Sequence, residues 1–431
     1  MKEGEGRKTV FDILKMISES KELELEDVVV DAEELTLELS TTPAGKPEYL
    51  KLTLEPITPG AQKIEFLVET TPYGVRLVAP TVPVPPAIPI EKPKEFIELK
   101  FEYPVVEYPG RIVEIVLGAT REQGGTRGKI IKIGGDKSPP FYLFESKPVN
   151  RPVVALDVFD TPPPLAGPVK RAYQDVLQDP AEWARKCINT YNADLISLHL
   201  VSTDPLGEDK PVKEALKTVE NVLQAVDIPI IIGGSGNPQK DVELFTQASE
   251  VFAGERLVMA SITLDMNIPK VVEPIRKYEH NAIALAFMDI NQAKELSRKI
   301  LDAGLPKDHL ILDPTTGALG YGIEYTYSTM ERIRLSALMG EETLQVPLSC
   351  AATNAWAARE AWMKIDEWGP RELRGPLYEA TTALVGLLAG ANLFMMMHPL
   401  AMKIVKSFAE AMIREEKKEE KPYLNWIKTK F

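Results

Sequence analysis

The chain has 431 residues, more than one ordinary hydrophobic core holds, so two domains are expected. The formal net charge is −13 without a visible basic stripe, which argues against a nucleic-acid partner. No stretch reaches the ~20 apolar residues of a membrane span. The N-terminus also lacks the apolar core of a secretory signal, so we expect no membrane partner and a cytoplasmic location.

The N-terminal part of the chain shows two local patterns. Residues 10–20 have helical spacing, and alternating apolar and polar residues between 28 and 80 predict a small antiparallel sheet. Six prolines between residues 80 and 94 then predict a stiff, extended connector. We therefore expect a small α+β assembly module at 1–80 and a proline-rich linker at 81–95.

Residues 96–150 keep a β-like pattern. Apolar runs at 113–117 and 129–133 flank a loop in which Gly124 and Gly125 can adopt positive φ, as a hairpin tip requires. This pattern predicts a β-hairpin segment that caps the domain after it.

From 151 to 431, apolar runs alternate with amphipathic segments. Such near-continuous runs are typical of parallel strands buried on both faces. The eight runs lie at 153–160, 193–200, 229–236, 256–263, 282–289, 309–317, 344–352 and 391–399. Helix starts are marked by Asp179 before Pro180 and by Asn291, which is expected to cap the helix that closes with Gly304.

Eight strand-and-helix units predict a closed (β/α)8 barrel, the α/β fold called a TIM barrel. The alternative is a doubly wound open sheet, which a glycine-rich phosphate-binding loop after the first strand would favour. The residues there are Asp160 and Thr161 followed by three prolines, so the barrel is preferred.

In such a barrel the carboxyl ends of the strands form the working mouth. The residues expected there are mostly Asp, Asn, Ser and Thr, which offer hydrogen bonds to an amide-rich or heteroaromatic ligand. In strand order they are Asp157 and Asp160; His199, Ser202, Thr203 and Asp204; residues 233–237; Ser261, Thr263, Asp265 and Asn267; Asp289 and Asn291; Asp313, Thr315, Thr316 and Gly317; Ser349, Thr353 and Asn354; and His398.

Each of these residues also has a purely structural explanation. Asp313 precedes a proline and can simply end a strand. The glycines at 233–236 can serve a tight turn or cradle a phosphate, and His199 and His398 suit core or helix-cap roles better than a metal site. Asn291 can bond a ligand as readily as it caps a helix. No catalytic-triad order, phosphate loop or zinc-protease motif is present, so the residues alone leave the reaction open.

Only two cysteines occur, Cys187 and Cys350. An iron–sulfur cluster held by cysteine takes about four thiolates, so we expect no cluster in this chain. Both side chains are expected to pack as small buried hydrophobes.

Five segments are similar to one protein family. They lie at 116–136, 140–145, 150–160, 311–340 and 395–399, and one of them contains DPTTGALGYGIEYTYSTMERIRL. On these segments the chain resembles the small (delta) subunit of the corrinoid iron–sulfur protein, over about residues 113–431. The N-terminal hundred residues do not match the shorter bacterial form of that subunit.

The resemblance implies a (β/α)8 barrel paired as a heterodimer with a large (gamma) subunit that carries the iron–sulfur cluster. It implies a corrinoid (cobamide) shared with that subunit and covered by this barrel. A methyl group would pass from a tetrahydropterin methyltransferase to cobalt and then to acetyl-CoA synthase, so both are implied partners. The chain would be a component of a methyl-transferring complex, without catalytic residues or a complete active site of its own.

The resemblance also suggests which residues hold the cofactor. Such barrels are similar to pterin-dependent methyltransferases, whose Asp and Asn side chains at strand ends bind the pterin, which points to Asp157, Asp289, Asn291 and Asp313. We further hypothesise that the loop from Asp313 to Gly317, with Thr315 and Thr316, covers the corrinoid.

Two other functions are compared with this one. A purely structural subunit would maintain the quaternary structure of the complex and touch no reactant, which the proline-rich linker and the N-terminal module fit. A free-standing tetrahydropterin methyltransferase would bind a pterin by itself. Co-purification of corrinoid with a heterodimer, or pterin binding by the isolated chain, distinguishes these functions.

Overall fold

The computed structural model describes residues 102–413 and, before them, the backbone of four strands. These are β1 (Glu34–Ser40), β2 (Glu48–Glu55), β3 (Ile64–Thr71) and β4 (Gly74–Val78). They form one antiparallel sheet in chain order, as the alternating pattern predicts. The predicted helix at 10–20 and the proline-rich linker at 81–95 lie outside the described residues.

The chain divides into two compact units, Met1–Phe101 and Glu102–Phe431. The second unit starts with a β-hairpin, in which β5 (Glu114–Leu117) pairs antiparallel with β6 (Ile131–Gly134). A short 3-10 turn at Arg121–Gln123 lies in the connecting loop.

A closed barrel of eight parallel strands forms the body of the second unit. Its strands are β7 (Val153–Phe159), β8 (Leu195–His199), β9 (Ile230–Gly233), β10 (Val258–Ile262), β11 (Asn281–Leu285), β12 (Leu310–Asp313), β13 (Leu348–Ala351) and β14 (Ala391–Met396). Because β14 pairs with β7, the ring closes. The predicted (β/α)8 barrel is confirmed, and the doubly wound open sheet is excluded.

Helices surround the barrel. They are α1 (Gly167–Tyr173), α2 (Pro180–Asn189), α3 (Val212–Ala225), α4 (Pro238–Val251), α5 (Ile268–Lys277), α6 (Ile290–Asp302), α7 (Ile323–Leu338), α8 (Arg359–Trp362), α9 (Arg371–Leu388) and α10 (Pro399–Ile413). Their apolar residues, such as Val219, Phe245 and Ile300, are buried in one cluster with the outward-facing strand residues. Within the part of the chain that the model describes, no helix is both long and apolar enough to cross a membrane.

Short polar side chains start several of these helices. Asp179 accepts hydrogen bonds from the backbone of Ala181 and Glu182, as predicted. The prediction that Asn291 caps α6 is wrong. Asp289, in extended backbone, accepts from the amide of Asn291 at 2.6 Å and caps the helix instead, which leaves Asn291 exposed in the first turn.

Strand alternation divides the side chains of the barrel between an outer and an inner layer. Val154 and Leu156 belong to the outer cluster, whereas Val153 and Ala155 belong to the inner one. Nearer the carboxyl ends, the same alternation turns polar side chains inward. We call this group the inward polar layer; it consists of Asp157, Ser197, His199, Asp313 and Ser349.

The hairpin closes the opposite, amino end of the barrel. Ile115, Leu117 and Ile133 are fully buried and belong to the inner apolar cluster. The side chain of Asn281, the first residue of β11, donates a hydrogen bond to the carbonyl of Val116 at 3.0 Å. Since the hairpin fills the amino end, the mouth at the carboxyl end is the place where the barrel interior meets its surroundings.

Candidate functional site at the barrel mouth

Asp157 and His199 form the best-defined contact of the inward polar layer. The register of β7 and β8 pairs Asp157 with Ser197 and Phe159 with His199, which brings these side chains together. His199 Nε2 lies 2.9 Å from Asp157 Oδ1 and 3.2 Å from the Ser197 hydroxyl. Because both partners contact the same ring nitrogen, the three side chains are not a serine–histidine–aspartate relay.

One carboxylate oxygen of Asp157 lacks a hydrogen-bond partner among the described residues. The residue is 1% exposed, and its Oδ2 has no hydrogen-bond partner among the described residues. The His199 side chain retains 24% exposure, and its ring stacks on Phe159 at a centroid distance of 5.0 Å. The carboxylate therefore holds the imidazole in position from below, while the imidazole faces the mouth.

The glycines after β9 serve the fold. A Cβ on Gly233 would lie 2.7 Å from His199 Nδ1, so glycine leaves room for the imidazole ring. The amides of Ser235 and Gly236 donate to the Asp241 carboxylate at 2.8 and 2.9 Å. Because these amides already donate to Asp241, they are not free to bind a phosphate. The glycines are therefore explained by the tight turn.

Asp313 organises the loop that follows β12. It is 2% exposed, and it accepts hydrogen bonds from the Thr315 amide at 2.8 Å and from the Ser349 hydroxyl at 3.0 Å. Burial raises the pKa of Asp313 to about 6. Thr315 has a φ of +66°, and its hydroxyl donates to the carbonyl of Ala286 at 2.8 Å, which ties this loop to the one after β11.

Thr316 and Gly317 make their contacts inside the protein. The Thr316 hydroxyl lies 3.5 Å from Cys350 Sγ, and the Gly317 amide donates to the Thr326 hydroxyl at 2.8 Å. A Cβ on Gly317 would approach the backbone of Gly322 to 2.8 Å. The loop from Asp313 to Gly317 is thus held in shape by its own hydrogen bonds and close packing.

The other two candidate residues lie on the rim. Asp289 and Asn291 are exposed and stand apart from the inward polar layer. Phe287, in the same loop as Asp289, is 62% exposed. The structure therefore brings Asp157 and Asp313 into the barrel interior and leaves Asp289 and Asn291 outside it.

Glu379 is a buried carboxyl group near the mouth that the sequence reasoning did not select. It is fully buried in α9 and accepts hydrogen bonds from the amides of Met397 at 2.6 Å and His398 at 3.0 Å. Burial raises the pKa of Glu379 to about 8, with a smaller contribution from the Asp157 carboxylate. The sequence signal that could have identified Glu379 was a single acidic residue within an otherwise apolar helical segment.

Ser197 was also missed. It is fully buried and shares the inward face of β8 with His199. Alternation along the apolar run at 193–200 places residues 195, 197 and 199 on one face, which was the signal that could have identified it.

His398 and the two cysteines have structural roles. His398 Nδ1 accepts from the Leu400 amide at 3.1 Å at the start of α10, which confirms a cap role, and burial lowers the pKa of His398 to about 4. Cys187 and Cys350 are buried as predicted, and burial raises the pKa of Cys350 to about 12. Among the described residues, no group of three or more His, Cys, Asp or Glu side chains could hold a metal ion.

Comparison with known proteins identifies the family. The family model described as CO dehydrogenase/acetyl-CoA synthase delta subunit matches residues 114–413. The acetyl-CoA decarbonylase/synthase complex subunit delta of Archaeoglobus fulgidus is 49% identical over 349 residues, which cover 78% of this chain and 77% of that protein. The subunit of the same name from Methanocaldococcus jannaschii is 41% identical over 401 residues, with 93% and 91% coverage.

Solved structures of dihydropteroate synthases are also similar. One from Xanthomonas albilineans with 4-aminobenzoic acid has a TM-score of 0.43 and 16% identity, covering 61% of this chain and 94% of that one. The sequence relatives are far more similar, and the family model covers the barrel and the hairpin before it. The chain belongs to the delta-subunit family of the CO dehydrogenase/acetyl-CoA synthase complex.

Proposed function

We propose that the barrel mouth covers a corrinoid carried by a large, cluster-bearing (gamma) subunit of the complex. In this function the chain helps to carry a methyl group between a methyl-tetrahydropterin methyltransferase and acetyl-CoA synthase. Membership of the delta-subunit family supports a function within this complex. The observation that carries the proposal is the inward polar layer, open to the mouth and bordered by exposed apolar side chains.

The residues at the mouth fit a corrinoid, which is a broad macrocycle with amide groups around its edge. Asp157 has a carboxylate oxygen without a partner among the described residues, and the partly exposed His199 is the member of the Asp157–His199 pair that a ligand meets first. Leu206, Phe287 and Tyr321, in loops that follow strands, are 95%, 62% and 50% exposed and offer apolar contact. These are the residues that would hold the macrocycle against the barrel.

The chemistry supplied by a bound corrinoid is methyl transfer at its cobalt. This chain would contribute orientation and the exclusion of water from the reacting face. Thr315, the partly exposed residue of the loop from Asp313 to Gly317, suits that role because the shape of the loop is already determined by internal hydrogen bonds. A preformed surface loses little conformational entropy when it docks.

A matched pair of variants tests the proposal. Phe287→Asp places a charge on the mouth, whereas Phe408→Asp changes a phenylalanine of similar exposure, 55%, in α10. The full-length variants are mixed with the corrinoid-bearing subunit, and affinity and the corrinoid absorption spectrum are measured. We expect Phe287→Asp to weaken association at least tenfold and to alter the spectrum, and Phe408→Asp to match wild type. Equal behaviour of both variants and wild type would overturn the proposal.

A purely structural role is the second candidate, and a separate surface favours it. Tyr103 stacks on Phe144 at a centroid distance of 4.8 Å, and both rings stay exposed together with Tyr142 and Leu143. Clustered exposed apolar side chains of this kind mark protein contacts. In a subunit with only this role, Phe287→Asp would leave methyl transfer unchanged in the assembled complex, whereas Tyr103→Asp would prevent assembly.

A further inference from the structure

The loops at the barrel mouth carry an excess of acidic side chains. The loop at 200–211, after β8, holds Asp204, Glu208 and Asp209 against a single basic residue, Lys210. Lys210 is itself paired with Glu208 at 2.7 Å. Lys240, at the start of α4, pairs with Asp209 at 2.8 Å, so three carboxylates meet two ammonium groups here and one carboxylate is in excess.

The long loop at 352–370, after β13, shows the same bias. It holds Glu360, Asp366 and Glu367 against Arg359 and Lys364. Asp366 and Glu367 are both exposed to solvent. The tip of this loop is thus acidic and open to solvent.

Shorter loops add one carboxylate each, at Asp160, Asp265 and Asp289, without a basic residue. Together the loops that directly follow the eight strands carry nine acidic and three basic side chains. The segment at 102–150, which includes the hairpin at the amino end, carries six acidic and seven basic ones. The negative charge is therefore concentrated at the mouth relative to the hairpin end.

Apolar side chains are interspersed with these charges. Trp362 and Trp368 lie in the loop at 352–370 and are 41% and 43% exposed, and Leu206 lies among the carboxylates of the loop at 200–211. Below them, the buried Asp157 keeps its Oδ2 without a partner among the described residues. Exposed tryptophan and leucine bordered by charge are typical of a protein contact surface.

We propose that the barrel mouth docks a protein face on which lysine and arginine side chains surround an apolar centre. This inference rests on the proposed function and names the chemistry of the partner's surface. A second copy of this chain would bring two acidic mouths together, and like-charge contact opposes that pairing. A basic face instead gains attraction at long range, which raises the association rate.

Charge reversal at the mouth tests this proposal. The variant Glu367→Lys changes an exposed mouth residue, and Glu122→Lys changes an exposed residue in the loop of the hairpin by the same net charge. Association of each full-length protein with the corrinoid-bearing subunit is measured at low and high salt. We expect the mouth variant to bind at least tenfold more weakly at low salt, mainly through slower association, and the hairpin variant to stay within twofold of wild type.

The outcomes separate this proposal from the one on which it rests. If charge reversal at the mouth has no more effect than at the hairpin, while Phe287→Asp still abolishes binding, the basic partner face is wrong and the mouth remains the docking surface. If neither mouth variant changes association, both proposals fail. Wild-type affinity that does not change between low and high salt would also overturn the electrostatic proposal.

Discussion

Burial determines how individual carboxyl groups behave near the mouth. Asp313 and Glu379 both accept two hydrogen bonds, which favour the charged form, yet burial still raises the pKa of each. The folded protein therefore holds a proton on these groups at pH values where the unfolded chain has released it.

The pH dependence of stability follows from the Glu379 carboxyl group. Its pKa rises from an ordinary 4.5 to about 8, so the folded state binds the proton more tightly than the unfolded state. The free energy of unfolding should then fall as pH rises between these values, by up to about 1.4 kcal/mol per unit. Urea unfolding from pH 5 to 8 measures this, and Glu379→Gln, which does not ionise, should reduce the slope. Parallel curves for wild type and variant would contradict the prediction.

At the scale of single elements, several polar and glycine residues that the sequence suggests as ligand-binding residues are explained by helix starts and tight loops. Asp289 lies at the mouth because a helix begins there, and Gly317 occurs where two backbone segments approach closely. The contribution of each role can be measured as the change in the free energy of unfolding when the residue is substituted.

The cap of α6 gives one such measurement. Asp289→Ala removes the acceptor for the amides of Asn291 and Gln292, and we expect a loss of about 1 kcal/mol. Asn291→Ala serves as the control, because Asn291 is exposed and does not cap the helix, and it should stay within about 0.5 kcal/mol of wild type. Chemical denaturation of the two variants measures the difference, and a larger loss for Asn291→Ala would reverse the assignment of the cap.

The close contact between Gly317 and the backbone of Gly322 allows a second measurement of stability. A Cβ there would meet the backbone of Gly322 at 2.8 Å, so Gly317→Ala should destabilise the protein by about 1–3 kcal/mol. At Gly207 the nearest atoms would be 3.6 Å away, and Gly207→Ala should have little effect. Thermal unfolding compares the two variants. Equal melting temperatures would show that the loop after β12 adapts its shape.

At the scale of the whole molecule, the two ends of the barrel have different tasks. The hairpin fills the amino end with apolar side chains, while the carboxyl end presents the inward polar layer and the acidic loops. Under the proposed function, this division would place stability at one end and recognition at the other, as in other barrels of this class.

The hairpin should therefore contribute strongly to the stability of the barrel. Ile133→Ala removes a fully buried side chain from the inner apolar cluster, and we expect a loss of about 2–4 kcal/mol. Val149→Ala, at a site that is 59% exposed, provides the control and should change stability by less than about 0.5 kcal/mol. The midpoint of urea unfolding reports both, and a small effect of Ile133→Ala would show that the barrel does not depend on its hairpin.

The sequence by itself determined the barrel, because parallel strands covered on both faces must be apolar at nearly every position, and eight such runs are visible. It also indicated Asp157, an acidic residue within the first apolar run, and Asp313, which ends the sixth strand of the barrel. Only the tertiary structure decided which polar residues face inward, that Asp289 and not Asn291 caps α6, and that Glu379 reaches Met397 and His398. Local patterns do not contain this information, because side chains such as Asp157 and His199, 42 residues apart, meet only when strand register and barrel closure are determined together.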